Sequence, residues 1–325
     1  MKKYLLFIGE PSVLFKNTQD DLTDTHANLI FADNTEEASE YIKEHLIDII
    51  ISDIELGQIS GFDLVKQAKI KNPDVQSILV TSKHIEEYFD AILENEIGII
   101  LHKPVVQRKM AGLIYKLAAK KDIFELGNTI TDVKIHTYPD IKTLNDALQF
   151  KIDIYNKLTN NNINQKISNN FIFGFWEIVL NAICHPFGYT DNIRTGKIQA
   201  EDISLKKDEI VNVKFGENES QIGASVTDNK GILTKKKVFS AFKNCIYTEK
   251  KTDKSNPDLK NISSLTSLNV PVLHSGRGLN MIRRLSASLH INIKQNNKTE
   301  VIILYDKHVI DETNNNTADV IIIEA

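Results

Sequence analysis

Four polar or charged residues in the first third of the chain follow short apolar runs: Glu10, Asp53, Thr81 and Lys103. Two carboxylates, a hydroxyl and an amine that converge would make a phosphorylation pocket. Asp53 would be the nucleophile, and Glu10 with Asp53 would hold Mg²⁺, which prefers oxygen ligands and substrate phosphate. Thr81 would donate a hydrogen bond to a phosphoryl oxygen, and Lys103 would neutralise its charge.

The apolar runs alternate with helical patterns over residues 1–121. The runs are Tyr4–Ile8, Leu29–Ala32, Ile49–Ile51, Ser77–Thr81 and Ile97–Leu101. The helical patterns are Thr35–His45, Phe62–Ile70, Ile85–Glu94 and about Val105–Lys121. This alternation predicts an α/β unit with a five-stranded, doubly wound parallel sheet. Ligands of such sheets lie at the carboxyl ends of the strands, where the four candidate residues stand.

The segments IISDIEL, GFDLV, SILVTSK and IILHKP resemble the receiver domain of two-component response regulators, over residues 1–121. The spacing from Asp53 to Thr81 and on to Lys103 fits that family. The resemblance implies a flavodoxin-like fold and phosphorylation of Asp53 by a cognate histidine kinase or phosphotransfer protein. It also implies a cis peptide bond between Lys103 and Pro104.

Two positions depart from the receiver pattern. Gly9 stands where the family usually has a second acid before Glu10, so we expect weak Mg²⁺ binding. Ile100 stands where the family often has an aromatic switch residue, so any signal must leave the pocket by another route. A receiver-shaped domain with an inactive pocket is the alternative.

The C-terminal half has a different order of elements. Two long helices are predicted at about Ile141–Leu158 and Ser168–Cys184, and a third helix opens near Gly278. Strands are predicted near Ile210–Phe215 and Gln221–Val226, with a hairpin of Leu289–Lys294 and Glu300–Tyr305. This order predicts a sheet covered by helices on one face.

The second long helix carries Glu177, Asn181 and His185 at intervals of four residues, which places them on one face. One polar stripe alone is more often a solvated face than a site. Two further segments favour a site.

The segment SVTDNKGIL places Asp228 and Gly231 after an apolar strand, and HSGRGLNMIRRLS places Gly276 and Gly278 where a helix begins. Glycines at a helix N-terminus let a phosphate approach the free N–H groups. We therefore expect a phosphate-binding site in this half of the chain.

Together these segments resemble the GHKL ATP-binding fold, an α/β sandwich shared by histidine kinases, gyrase-type ATPases and anti-sigma serine kinases, over residues 137–308. WEIVLNAICH and GRGLNMI are most similar to the anti-sigma serine kinases. The resemblance implies ATP and Mg²⁺ as cofactors. It implies that Asn181 coordinates Mg²⁺, that Glu177 is a base or orients the attacking group, and that the nucleotide contacts Asp228, Gly231, Gly276, Arg277, Gly278 and Thr299.

Several features of the C-terminal half allow more than one interpretation. His185 either approaches the phosphates or caps its helix. A single glycine, Gly231, follows Asp228 where the family has two, which alters the adenine pocket. The region Cys245–Pro271 is either a lid over the nucleotide or a surface loop. Residues 122–136 are predicted to be a connector, and residues 309–325 a C-terminal tail.

The composition is that of a globular protein, with 42% hydrophobic and 25% charged residues and length for two cores. A net charge of −4 gives no reason to expect nucleic-acid binding. The apolar run at the N-terminus is too short for a secretory signal, and no membrane segment is expected. Cys184 and Cys245 are read as buried thiols, so a cytoplasmic location is expected.

Three functions compete. The first is a receiver-controlled kinase that uses Mg-ATP to phosphorylate a serine or threonine of a partner, such as a sigma-regulatory, anti-anti-sigma-like protein. The second is an anti-sigma-like module that binds a partner according to its nucleotide, without kinase activity, and the third is a degenerate scaffold. His136 is the only histidine in the stretch Val105–Leu158 and precedes a helix, which argues against histidine self-phosphorylation. A homodimer is compatible with each function.

Overall fold

The computed structural model describes residues 2–16, 22–23, 25–119, 122–199, 202–251, 277–308 and 318–324. The chain divides into two units. The first unit holds residues 1–123 and 319–321, and the second holds residues 124–318 and 322–325.

Five parallel strands form the sheet of the first unit, in the order β2-β1-β3-β4-β5. They are β1 (Tyr4–Ile8), β2 (Asn28–Ala32), β3 (Ile47–Asp53), β4 (Gln76–Thr81) and β5 (Ile99–His102). Strands β1, β3, β4 and β5 are buried over most of their length, as parallel strands between helices require, whereas the edge strand β2 is half-buried. The predicted doubly wound sheet is confirmed, with strand order reversing between β1 and β3, where ligands bind in such folds.

The helices of the first unit are α1 (Glu10–Lys16), α2 (Thr35–Glu44), α3 (Gly61–Lys71), α4 (Phe89–Asn95) and α5 (Gln107–Ala119), with a 3₁₀ turn at Ile85–Tyr88 before α4. Their starts follow from local chemistry. Ser60 and Asp63 form a reciprocal capping box at the start of α3. The side chain of Asn34 accepts from the Glu37 N–H at the start of α2.

A sixth strand, β11 (Asp319–Glu324), was not predicted. It pairs antiparallel with β5, with Val320 opposite Ile100 and Ile321 opposite Ile99. Asp319 Oδ1 accepts from the His102 N–H at 2.6 Å. The reading of residues 309–325 as a tail is therefore wrong for 319–324, because the apolar run in this strand satisfies the hydrogen-bonding edge of β5. Residues 309–317 lie outside the described residues.

An antiparallel sheet forms the second unit, in the order β9-β10-β8-β7-β6. Its strands are β6 (Lys134–Thr137), β7 (Val211–Glu217), β8 (Gln221–Asp228), β9 (Ser288–Lys294) and β10 (Lys298–Asp306). Its helices are α6 (Leu144–Asn160), α7 (Gln165–Cys184), α8 (Tyr189–Arg194), α9 (Lys235–Lys251) and α10 (Arg277–Leu285).

Helix α7 is the central helix of the second core. Phe171 packs edge-on against Phe215 of β7 and Tyr305 of β10, and the Tyr305 hydroxyl donates to the Asn170 carbonyl at 3.1 Å. Within the described part of the chain, α7 alone is long and apolar enough to cross a membrane, but most of it is buried, as in a globular core.

The predicted connector, residues 122–136, belongs largely to the second unit. Leu126 and Ile130 are fully buried and pack with Ile302 and Leu304 of β10, and β6 pairs with β7. The connector prediction is therefore wrong from residue 124 onward. Helix α9 occupies the start of the predicted lid, and residues 252–276 lie outside the described residues.

Candidate functional site

The side chains of Asp53, Lys103 and Glu10 meet at the carboxyl end of the first sheet. Lys103 Nζ lies 3.0 Å from Asp53 Oδ2 and 3.1 Å from Glu10 Oε2. The Glu10 backbone N–H donates to the same Asp53 Oδ2 at 3.1 Å. Burial tends to lower the pKa of Lys103, but the hydrogen bonds that it donates to the Asp53 and Glu10 carboxylates, with their negative charges, outweigh burial and raise the pKa above its ordinary value. Lys103 is therefore a fixed positive charge beside Asp53.

The oxygen Asp53 Oδ1 differs from Oδ2. It is buried, and the described residues offer it no hydrogen-bond donor. A buried anionic oxygen without a donor is costly unless a cation or another donor reaches it. This oxygen therefore has the environment expected of a metal ligand.

Gly9 precedes Glu10 with φ of +75°, in the left-handed region. A Cβ at this position would lie 2.6 Å from Asp53 Oδ2, closer than side chains approach one another. The missing second acid thus has a physical reason in this pocket, because the Asp53 carboxylate occupies the space that a side chain at position 9 would need. Glu10 is also not a strand end, as the sequence suggested, but the first residue of α1.

The hydroxyl of Thr81 does not face a free site. It donates to Glu55 Oε1 at 2.9 Å and accepts from the Lys83 N–H at 3.0 Å. The Tyr88 hydroxyl bonds to the same Glu55 oxygen. Sequence reasoning missed Glu55 and Tyr88; the position of Glu55 two residues after Asp53 was the only available signal.

In the second unit, Glu177 lies on α7 against the start of α10. A Cβ on Gly278 would lie 2.0 Å from Glu177 Oε2, so any other residue at this position would require the Glu177 carboxylate to move. Burial raises the pKa of Glu177 to about 7. No hydrogen bond or ion pair to its carboxylate comes from the described residues, so nothing compensates the burial.

The other two candidate residues of this polar stripe, Asn181 and His185, have surroundings that differ from those of Glu177. Asn181 is half-buried, one turn beyond Glu177. His185 is exposed and is the C-cap of the helix: its backbone N–H donates to the Asn181 carbonyl at 3.2 Å, and its Nδ1 lies 3.2 Å from Thr190 Oγ1. The capping role of His185 is thereby confirmed, and its approach to phosphates stays a prediction.

Asp228 ends β8 opposite Thr299 of β10. Its Oδ1 accepts from the N–H groups of Lys230 at 2.8 Å and Gly231 at 3.1 Å. Burial raises the pKa of Asp228, although these backbone hydrogen bonds oppose the rise. Gly231 has φ of +60°, and a Cβ there would lie 2.2 Å from the Lys294 carbonyl, so the turn after Asp228 is closely packed.

These contacts bring Glu177 to Gly278, and Asp228 to Thr299 and Gly231. Helix α7, which carries Glu177, packs against both α10 and β8, the strand that ends in Asp228. Gly276 lies outside the described residues, and for Arg277 only the backbone, at the start of α10, is described.

The family model described as "Response regulator receiver domain" matches residues 6–115. Residues 6–115 are a response regulator receiver domain. The transcriptional regulatory protein ComA of Bacillus subtilis (strain 168) is 29% identical over 120 residues, which cover 35% of this chain and 55% of ComA. The chain thus spans about half the length of that relative.

Solved structures are also similar to this chain. A CheY-like receiver domain protein from Methanospirillum hungatei JF-1 is 20% identical, with a TM-score of 0.33 over 37% of this chain and 96% of that one. A response regulator from Thermotoga maritima is 17% identical, with a TM-score of 0.32 over 37% and 99%.

Receiver domains take part in signal transduction and interact with histidine kinases or phosphotransfer proteins. The receiver domain here has the predicted cis peptide bond between Lys103 and Pro104. Its pocket brings together Glu10, Asp53 and Lys103, as the sequence predicted.

The receiver pocket suits a cation with few protein ligands. No group of three or more His, Cys, Asp and Glu side chains with metal-site geometry occurs in the described residues. Glu10 and the free Asp53 Oδ1 would be the carboxylate ligands, and Mg²⁺ commonly binds one or two carboxylates and completes its shell with water and phosphate. The residues present therefore fit Mg²⁺.

Proposed function

We propose that the receiver domain is phosphorylated on Asp53 and that this state controls a GHKL-type, ATP-binding output unit in residues 124–318. The observation that carries the first part is the unequal environment of the two Asp53 oxygens. Oδ2 is held by Lys103 and the Glu10 N–H, whereas Oδ1 is buried without a donor from the described residues.

The transfer to Asp53 is a simple displacement. The N–P bond of a donor phosphohistidine breaks, an Asp53 oxygen forms the O–P bond, and a proton goes to the histidine nitrogen. Lys103 neutralises the incoming phosphoryl charge, and Glu10 with Asp53 would hold Mg²⁺. The cation, when bound, supplies charge neutralisation at the phosphoryl oxygens.

The test uses the full chain with a small phosphodonor and Mg²⁺, read by mass spectrometry. We expect one hydroxylamine-sensitive phosphate on the wild type and none on Asp53→Asn. Asp74→Asn, an exposed site in the same unit, is the matched control and should label normally. Equal labelling of Asp53→Asn would refute Asp53 as the acceptor.

For the output unit, the supporting observation is the uncompensated Glu177 carboxylate beside Gly278 at the start of α10. A carboxylate with a pKa of about 7 is matched to general-base work near neutral pH. A partner's serine or threonine hydroxyl would attack the γ-phosphorus, the bond to ADP would break, and the hydroxyl proton would pass to Glu177.

We propose that the serine or threonine that accepts the phosphate lies on another protein, a partner that resembles an anti-anti-sigma protein. His136, the histidine that precedes the output helices, is on the exposed strand β6 with its ring edge-on to Tyr138, and not on a helix. Labelled ATP alone should therefore give no acid-labile label on His136. Such a label would contradict the proposal.

A second candidate, partner binding set by nucleotide without phosphoryl transfer, is favoured by the turn after Asp228. Asp228 Oδ1 already accepts two backbone N–H groups, and Gly231 is closely packed against Lys294. Both features constrain the proposed adenine pocket. In the scaffold alternative, neither pocket works.

Nucleotide titration with and without Mg²⁺ separates the three candidates. We expect Asn181→Ala to abolish the Mg²⁺-dependent part of ATP binding, whereas Asn169→Ala, exposed on the same helix, should not. Transfer to a partner then distinguishes the kinase from the binding module. Absence of any ATP binding by the wild type would leave only the scaffold.

A further inference from the structure

The proton of the Thr81 hydroxyl is already committed in the receiver pocket. A hydroxyl has one proton to donate, and Thr81 gives it to Glu55 Oε1 at 2.9 Å. The backbone of Glu55 is itself fixed, because it forms a β-bridge with Ser60 at the start of α3. Thr81 therefore cannot donate to a phosphoryl oxygen on Asp53 while this bond lasts.

The same Glu55 oxygen also holds Tyr88. The Tyr88 hydroxyl bonds to Glu55 Oε1, and its ring packs against Phe62 of α3 with centroids 5.8 Å apart. Burial, together with the bond to Glu55, raises the pKa of Tyr88 to about 12, so its hydroxyl stays protonated at neutral pH. One carboxylate thus ties β4 and the turn before α4 to the loop after Asp53.

A phosphoryl group on Asp53 competes with Glu55 for Thr81. It adds nearly two negative charges and three acceptor oxygens close to this hydroxyl. When Thr81 turns to the phosphoryl group, Glu55 loses one of the two side-chain donors that the described residues give it, and its charge is repelled by the new anion. The bond from Tyr88 to Glu55 then holds the turn at Ile85–Tyr88 without the support of Thr81.

We propose that Glu55 is a positioning residue that withholds the Thr81 hydroxyl in the unphosphorylated receiver, and that Tyr88 reports the change by altering the start of α4. This rests on the proposed phosphorylation of Asp53. The position where an aromatic switch was expected holds Ile100, which is buried and pairs with Val320. Tyr88 is the aromatic side chain that contacts the Thr81 partner instead.

The first experiment needs no phosphate. Hydrogen exchange of residues 85–95 is compared in the full chain for wild type, Glu55→Ala and Glu55→Gln. Glu87→Gln is the matched control, since it removes one exposed charge beside Tyr88 without touching Thr81. We expect faster exchange in Glu55→Ala, an intermediate rate in Glu55→Gln, which keeps an acceptor oxygen, and no change in the control.

The second experiment titrates each variant with beryllofluoride and Mg²⁺ and follows the same exchange. Loss of a charged hydrogen bond at an exposed carboxylate should let Glu55→Ala saturate at roughly three- to tenfold lower beryllofluoride than wild type. In wild type the ligand should speed exchange in residues 85–95, and in Tyr88→Phe this response should be lost.

The outcomes of the two experiments test different parts of the proposal. If Glu55→Ala exchanges at the wild-type rate without ligand, the tether is refuted whatever Asp53 does. If it binds beryllofluoride with wild-type affinity, withholding of Thr81 is refuted. If no variant binds beryllofluoride but exchange in Glu55→Ala is faster, phosphorylation of Asp53 fails and the tether between Glu55 and Tyr88 stands.

Discussion

Replacement of Glu177 by glutamine should change the pH dependence of stability in the second unit. The carboxylate is buried against Gly278 without a partner from the described residues, and its pKa rises from 4.5 to about 7. One pKa unit corresponds to about 1.36 kcal/mol, so ionising this group in the folded chain costs roughly 3 kcal/mol. Glutamine keeps the shape and cannot ionise.

The direction of this pH effect follows from the linkage between protonation of Glu177 and folding. Because the folded-state pKa lies above the unfolded one, the contribution of Glu177 is fully present below pH 4.5 and is lost as the pH rises through about 7. The wild type should therefore lose stability relative to Glu177→Gln between these values. From pH 5 to pH 8 the difference should grow by roughly 2.5 kcal/mol.

The assay is urea unfolding followed by the fluorescence of Trp176, which is the single tryptophan and lies buried in α7 beside Glu177. The signal therefore reports the second unit and not the receiver domain. Glu219→Gln, an exposed site between β7 and β8, is the matched control and should follow the wild-type pH profile. Parallel profiles for wild type and Glu177→Gln would refute the burial argument.

Three further predictions concern single positions. Gly9→Asp, which restores the acid usual in receivers, should lower Mg²⁺-dependent phosphorylation. A side chain at position 9 meets Asp53, and a non-glycine residue in the left-handed region costs roughly 1–2 kcal/mol. Stronger Mg²⁺-dependent phosphorylation of this variant would contradict the prediction. Asp319→Ala should destabilise the receiver unit by about 1.5–3 kcal/mol, because Asp319 accepts from His102 and pairs with Lys109. Unchanged thermal unfolding of that unit would show that these two contacts do not stabilise it. Lys151→Met should raise the urea midpoint of the unfolding transition followed by Trp176 at pH 7, because burial lowers the pKa of Lys151 and disfavours its charged form. A lower midpoint would show that the contact between the Lys151 ammonium and the Trp176 ring outweighs the cost of desolvating the charge.

The sequence alone determined the receiver sheet and most of its pocket. Each of its five strands contains a short apolar run, and the residue at the end of a run lies at the carboxyl end of its strand. Asp53, Thr81 and Lys103 could therefore be placed by counting. Helices α6 and α7 were also predicted, at about Ile141–Leu158 and Ser168–Cys184, because a helical pattern of apolar residues is a local signal that needs no distant partner.

Only the tertiary structure decided the features that depend on distant partners. Strand β11 was predicted to be part of a tail, because an apolar run carries no information about which strand it pairs with. Residues 124–133 were predicted to be part of a connector, because their burial depends on β10. The hydrogen bond from Thr81 to Glu55 joins β4 to the loop after Asp53, and the two segments meet only in the folded chain. The raised pKa of Glu177 likewise has no sequence signal, because desolvation depends on what packs around a side chain and not on its neighbours in the chain.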